Sequence, residues 1–258
     1  MISTTLLSQM IKYSWNQNAI IQKSPSNSLR EAVVPGSIPV LWFGDIDAYD
    51  KSPEGSRVVT VGINPSRCEF QDNKGIPNPT FRFPLKLSPK APDYQTYKAA
   101  MTQYFANKPY MRWFWPNEAA LNKYGATFGG KSRPIPGVSV PNIGLHIDII
   151  APLATKPWSK LKPAKKKDLT STFSGQFDCL VRALDPDILI MPVDISFLTR
   201  KGFTLDNAQA QTVVINGKAR TITKATCTIG DKPRTIVHGW NGTTPFPLAS
   251  KMDIYDVI

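Results

Sequence analysis

Four short runs of apolar, largely β-branched residues constrain this chain more than any other feature. Residues 57–63, 145–150, 187–191 and 234–237 each read as a buried strand. Each stops at residues that punctuate a turn: Asn64-Pro65, Ala151-Pro152, Pro192 and His238-Gly239. Helical patterns at 94–105, within 164–184 and at 195–201 separate them. Strands alternating with helices predict an α/β fold, a central, mostly parallel four-stranded sheet with helices on both faces. Ligands of such sheets bind beyond the carboxyl ends of the strands, where Asn64, Asp148 and His238 all fall.

The remaining segments add to this core without dividing it. Residues 6–21 are amphipathic with helical period, and 25–39 form an irregular stretch rich in Ser and Pro, so 1–40 reads as a helix plus an irregular approach. Residues 204–228 alternate in β-branched residues around Asn216-Gly217, a strong two-residue hairpin signal, and predict an appended β-hairpin. No repeat or low-complexity tract interrupts the 258 residues, which are read as one domain.

Charge narrows the partner. Lys and Arg number 31 against 19 Asp and Glu, a net charge of +12, and the commonest polyanionic partner for such a chain is nucleic acid. No apolar run reaches the roughly 18 residues of a membrane span, and residues 1–12 lack the pattern of a secretory leader. A cytoplasmic protein with no membrane partner and no obligate protein partner is expected. Cys68, Cys179 and Cys227 are too few and too scattered for a disulfide framework or zinc knuckle, and the chain has only two histidines. The expectation is catalysis without a metal or other cofactor.

The run Val58-Val59-Thr60-Val61-Gly62-Ile63-Asn64-Pro65-Ser66 resembles the first active-site motif of the uracil-DNA glycosylase superfamily. The closest likeness is to its mismatch-specific branch, where Gly-Ile-Asn-Pro also follows the first strand. The order of parts agrees: a strand bearing Asp148, a strand into Pro192, and a last strand delivering His238. The resemblance covers roughly residues 41–248 in layout but only short stretches in sequence. It implies a monofunctional DNA glycosylase that flips a pyrimidine out of DNA and hydrolyses its N-glycosidic bond. In that reaction the sugar becomes oxocarbenium-like while negative charge grows on the departing base, so a donor beside the base is valuable. The resemblance assigns that role to His238 and gives Asn64 the attacking water, with Gly62 and Ile63 lining the base site. A plainer reading has Asn64-Pro65 simply starting a turn.

Two departures bear on the base. Asp148 stands where uracil-specific members carry asparagine; an ionised carboxylate only accepts hydrogen bonds, and its natural partner is the exocyclic amine of cytosine. Ser66 stands where those members carry a tyrosine that obstructs the pyrimidine C5. Together they point to a C5-modified cytosine, hydroxymethylcytosine or its glucosylated form, and hence to a role against phage DNA. Asp148 also reads as a buried loop cap, and Ser66 as a turn serine.

Within Thr80-Phe81-Arg82-Phe83-Pro84, the resemblance makes Phe83, then Phe81, the floor on which the base stacks; plain core packing is the other reading. After His238 the chain departs from the family's His-Pro-Ser-Pro, with Trp240, Asn241, Thr243 and Thr244 as candidate DNA contacts. Lys156, Lys160, Lys162 and Lys165, interleaved with Trp158, suit phosphate contact or form a solvated loop. Two alternatives stay open: a uracil or mismatch glycosylase of base-excision repair, and a DNA-binding module without catalysis on the same scaffold.

Overall fold

The strand and helix patterns close into one mixed sheet in the computed structural model, which describes residues 2–72, 74–132, 137, 139–191, 193, 195–215, 218–229 and 232–239. In chain order the elements are α1 (Thr4–Lys23), α2 (Ile46–Asp50), β1 (Val58–Gly62), α3 (Tyr94–Thr102), α4 (Tyr104–Asn107), α5 (Met111–Lys123), β2 (Leu145–Asp148), α6 (Pro163–Thr172), α7 (Gln176–Leu184), β3 (Ile188–Met191), α8 (Ile195–Arg200), β4 (Asp206–Ile215), β5 (Lys218–Ile229) and β6 (Lys232–Gly239). The sheet order is β2-β1-β3-β6-β5-β4. Its first four strands are mutually parallel, as the sequence predicts.

The 204–228 segment forms the antiparallel hairpin that the sequence predicts. It supplies β4 and β5, and β5 pairs antiparallel along β6 from Ile222↔Gly239 to Ile229↔Lys232, so the hairpin extends the main sheet. Its Asn216-Gly217 turn lies outside the described residues.

Burial explains why the strands read as they do. Every residue of β1 is buried, so both faces of this strand are covered, which is why its sequence is a nearly continuous apolar run. α1 buries Leu7, Met10, Ile11, Ser14, Trp15, Asn18 and Ile21, the stripe that a 3.6-residue period produces, and Ser3 caps its start. α5 carries Pro116 in its interior and three aromatic residues in its first two turns, and it packs against β1.

A cluster of rings fills the space between α4, α5 and the sheet. Phe43 contacts Phe83, Tyr104 and Phe114 at centroid distances of 5.8, 4.9 and 5.2 Å. Phe83, expected beneath a base, is here: it is fully buried and stacks on Phe70 at 5.5 Å and Tyr104 at 5.0 Å. Residues 80–84 form no strand, so the alternation expected there does not arise. Phe81 is instead held between cations, Arg82 at 5.1 Å and Lys108 at 4.9 Å from its ring.

At the amino ends of β1, β3 and β6 lies an ion-pair network. Arg234 Nη1 is 3.0 Å from Asp185 Oδ1, Lys232 Nζ is 3.0 Å from Asp187 Oδ1, and Arg57 reaches Asp50 at 3.4 Å and Asp185 at 3.7 Å.

Candidate active site

At the opposite end of the sheet, the carboxyl ends of β1 and β2 open onto a cavity of about 340 Å³. Gly62 and Asp148 are register partners at the carboxyl ends of β1 and β2, and residues 63–66 and 155–159 form the rim. The two rim segments are tied by a bridge between Ser66 and Thr155 and by the bond from Thr155 N to Pro65 O at 3.3 Å. Volumes of roughly 300 Å³ and above are those of sites that bury small ligands.

Asn64 is anchored by its nitrogen. Nδ2 donates to Pro65 O at 3.0 Å, Leu153 O at 3.3 Å and Thr155 Oγ1 at 2.9 Å. Thr155 Oγ1 gives its own proton to Lys156 O at 2.7 Å, so it can only accept from the amide. Three acceptors around one nitrogen fix which way the amide points. Oδ1 is left as the lone-pair atom for a water or ligand at the cavity wall.

Asp148 is held differently. Alternation along β2 puts His146 and Asp148 on one face, beside Thr60 and Gly62 of β1. Thr60 Oγ1 lies 2.8 Å from His146 Nδ1, and His146 Nε2 lies 3.8 Å from Asp148 Oδ1, an ion-pair distance rather than a hydrogen bond. The imidazole is boxed by the rings of Phe43, Trp113 and Phe114 at 5.4, 6.1 and 5.1 Å. A Cβ on Gly62 would collide with Asp148 Oδ1 and sit 2.9 Å from His146 Nε2, so glycine makes the room this pair occupies. The Asp148 side chain is 3% exposed and its Oδ2 has no hydrogen-bond partner. Burial raises its carboxyl above the ordinary value, with His146 opposing.

A second carboxyl shares the cavity. Glu69, in the 3-10 turn Arg67–Phe70, is 2% exposed. Its Oε2 accepts from the Tyr104 hydroxyl at 2.6 Å and faces Arg82 Nε at 3.5 Å. Burial pushes its carboxyl up to about 7, against the pull of Tyr104 and Arg82, with Asp148 adding to the rise. Ser66 caps the same turn, accepting from Cys68 N at 3.2 Å, and its small side chain lines the cavity.

Of the residues singled out in the sequence, the structure brings Ile63, Asn64, Ser66, Asp148 and Lys156 to this cavity, with Gly62 at its base. Phe83 and Phe81 are not on its wall; the aromatic surface comes from Trp113, Tyr110 and Trp158, backed by Phe43 and Phe114. Lys166 Nζ sits 5.7 Å from the Trp158 ring. Lys160 and Lys162 are exposed just beyond the rim, whereas Lys165 Nζ is tied to Ser28 O. His238 is buried at the end of β6, paired with Met191 and Thr223. Two strand spacings, about 10 Å, separate β6 from β1, and His238 does not line the cavity. Trp240, Asn241, Thr243 and Thr244 lie outside the described residues.

Sequence reasoning missed Glu69 and His146. His146 was within reach, since it stands two residues before Asp148 on a strand. Glu69 gave no periodic signal, because a single 3-10 turn has none.

Among the described residues no group of three or more His, Cys, Asp or Glu is placed to hold a metal ion, and no helix is long and apolar enough to cross a membrane. No protein-family model, curated protein or solved structure matches the chain.

Proposed function

We propose that this chain is a monofunctional DNA glycosylase with a uracil-DNA glycosylase-like site, and that it releases a C5-modified cytosine from DNA. The observation that carries the reading is the buried, unpartnered Asp148 Oδ2 on the same cavity as Asn64, whose amide nitrogen is engaged by the protein. A buried carboxylate oxygen without a donor is costly unless a ligand supplies one. The exocyclic amine of cytosine is such a donor. Asn64, oriented through its nitrogen, holds the attacking water by its oxygen. Trp113 and Trp158 give faces for stacking, and Ser66 leaves space beside C5. Lys156, Lys160 and Lys162 meet backbone phosphate along the rim.

Mass spectrometry of bases released from DNAs carrying uracil, cytosine, hydroxymethylcytosine or glucosylated hydroxymethylcytosine tests this directly. Release of a C5-modified cytosine at neutral pH is expected. Retardation of these DNAs without any abasic product would sink the enzyme reading.

One observation favours a second substrate. The raised Asp148 carboxyl, once protonated, donates to a carbonyl such as O4 of uracil. Uracil release that grows as pH falls is the mark of that reading.

A further inference from the structure

Glu69 has no part in the roles assigned so far, yet it is one of the most deeply buried polar groups on the cavity wall. Tyr104 and Arg82 engage Oε2, which leaves Oε1 as the oxygen without a protein hydrogen bond. We propose that Glu69 is a catalytic residue, the proton donor to the departing base. The proposal rests on the glycosylase reading and deepens it.

The chemistry calls for such a group. A departing uracil spreads its negative charge over two carbonyl oxygens, whereas an amine-bearing pyrimidine has only one, so its anion is more basic and a poorer leaving group. Protonation in the transition state offsets that difference. His238 stands outside the cavity, while Glu69 stands on it. The C1′–N1 bond breaks with its electron pair going to the base. The Glu69 carboxyl proton passes to the base at N3 or its carbonyl oxygen. The water held by Asn64 then bonds to C1′, and its surplus proton leaves to solvent, from which Glu69 is recharged. The sum is base, sugar hydroxyl and unchanged enzyme.

The surroundings keep Glu69 acidic enough to donate and protonated enough to have something to donate. Acting on it are Tyr104 from α4, Arg82 from the 71–93 segment and Asp148 from β2; Tyr110 ahead of α5 lies within reach of its charge and of Arg112 and Cys68, and His146 and Lys156 line the same cavity. Burial dominates and the acid form persists near neutrality. Tyr104 pulls the other way, since its hydroxyl favours the carboxylate.

The test uses the full chain, Glu69→Gln and Tyr104→Phe, with DNAs containing hydroxymethylcytosine, glucosylated hydroxymethylcytosine or uracil. In the wild type, release of the modified cytosine falls about tenfold per pH unit above neutrality. Glu69→Gln loses about a hundredfold at pH 7 and shows no such limb. Tyr104→Phe moves the limb to higher pH. On the protein alone, infrared spectra show a carboxylic acid carbonyl band near pH 6 that fades by pH 8 and is missing from Glu69→Gln. An active wild type whose Glu69→Gln variant keeps its rate and profile overturns this inference alone, as does a wild type lacking the band. A wild type that frees no base from any of these DNAs overturns the glycosylase reading and this inference with it.

Discussion

The two ends of one sheet handle charge in opposite ways. At the amino ends of β1, β3 and β6, Asp185 and Asp187 are ringed by Arg57, Lys232 and Arg234. Burial pushes the Asp185 carboxyl up, but Arg234 and Lys232 outweigh it and hold the group below its usual range. At the carboxyl ends, Asp148 and Glu69 are buried with incomplete compensation, and both are raised. Charge that only braces a fold is paired with its neighbours, whereas charge left wanting marks where something else completes the bonding.

Cutting the carboxyl end at Asn64 is expected to have the largest effect. Asn64→Ala should lower base release about a hundredfold, roughly 3 kcal/mol of transition-state stabilisation, with DNA affinity in a gel-shift titration nearly unchanged. His238→Ala is the companion variant: a comparable loss places His238 in the reaction despite its distance from the cavity, and full activity removes it. Equal rates for Asn64→Ala and wild type would leave the cavity without its water-holding group.

The imbalance at Glu69 also shows in stability. The folded protein holds the proton from the ordinary glutamate value near 4.5 up to about 7, where the unfolded chain has already lost it. Stability therefore falls as pH rises across that window, by on the order of 3 kcal/mol for a shift of this size. Urea unfolding at pH 5 and pH 8 should show Glu69→Gln gaining on the wild type at the higher pH. Parallel curves would mean that the carboxyl is not held protonated by the fold.

The amino end should answer in stability alone. Arg234, almost wholly buried, bonds to Asp185, Pro186 O and Ile229 O. Arg234→Met removes these bonds, and because Asp185 is partly open to water the cost is about 2 kcal/mol rather than that of a sealed pair. Base release per folded molecule should stay unchanged. A selective loss of rate at full stability would break the division between the two ends.

What the sequence could show follows the same division. The parallel strands were legible because burial on both faces forces a continuous apolar run, and the turn residues beyond them located Asn64 and Asp148. α5 was not, since Pro116 and neighbouring tryptophans obscure a helical period, yet this helix supplies Trp113 and Phe114 to the cavity. Phe83 takes the plainer of its two readings, core packing, for a related reason: an aromatic near the motif in sequence is free to turn into the core when its segment is irregular. Glu69 became visible only once tertiary packing had brought Tyr104, Arg82 and Asp148 around it. A site built from strand ends can be read from periodicity, but one completed by a 3-10 turn cannot.

The smallest expected effect separates two lysines of one basic run. Lys156 is exposed on the rim, whereas Lys165 is tied to the backbone of Ser28. A lysine that neutralises a phosphate releases a counterion, so removing it lowers the slope of log affinity against log salt by about 0.9 on duplex DNA. Lys156→Ala should therefore flatten the slope by about that much and weaken binding several-fold at low salt. Lys165→Ala should leave the slope nearly as it was, because its ammonium is already engaged by the protein. Fluorescence anisotropy with a labelled duplex across a range of salt concentrations measures both. If the two variants flatten the slope equally, the phosphate path runs over α6 as well as the rim, and the contrast between the sheet's two ends is wider than the cavity alone.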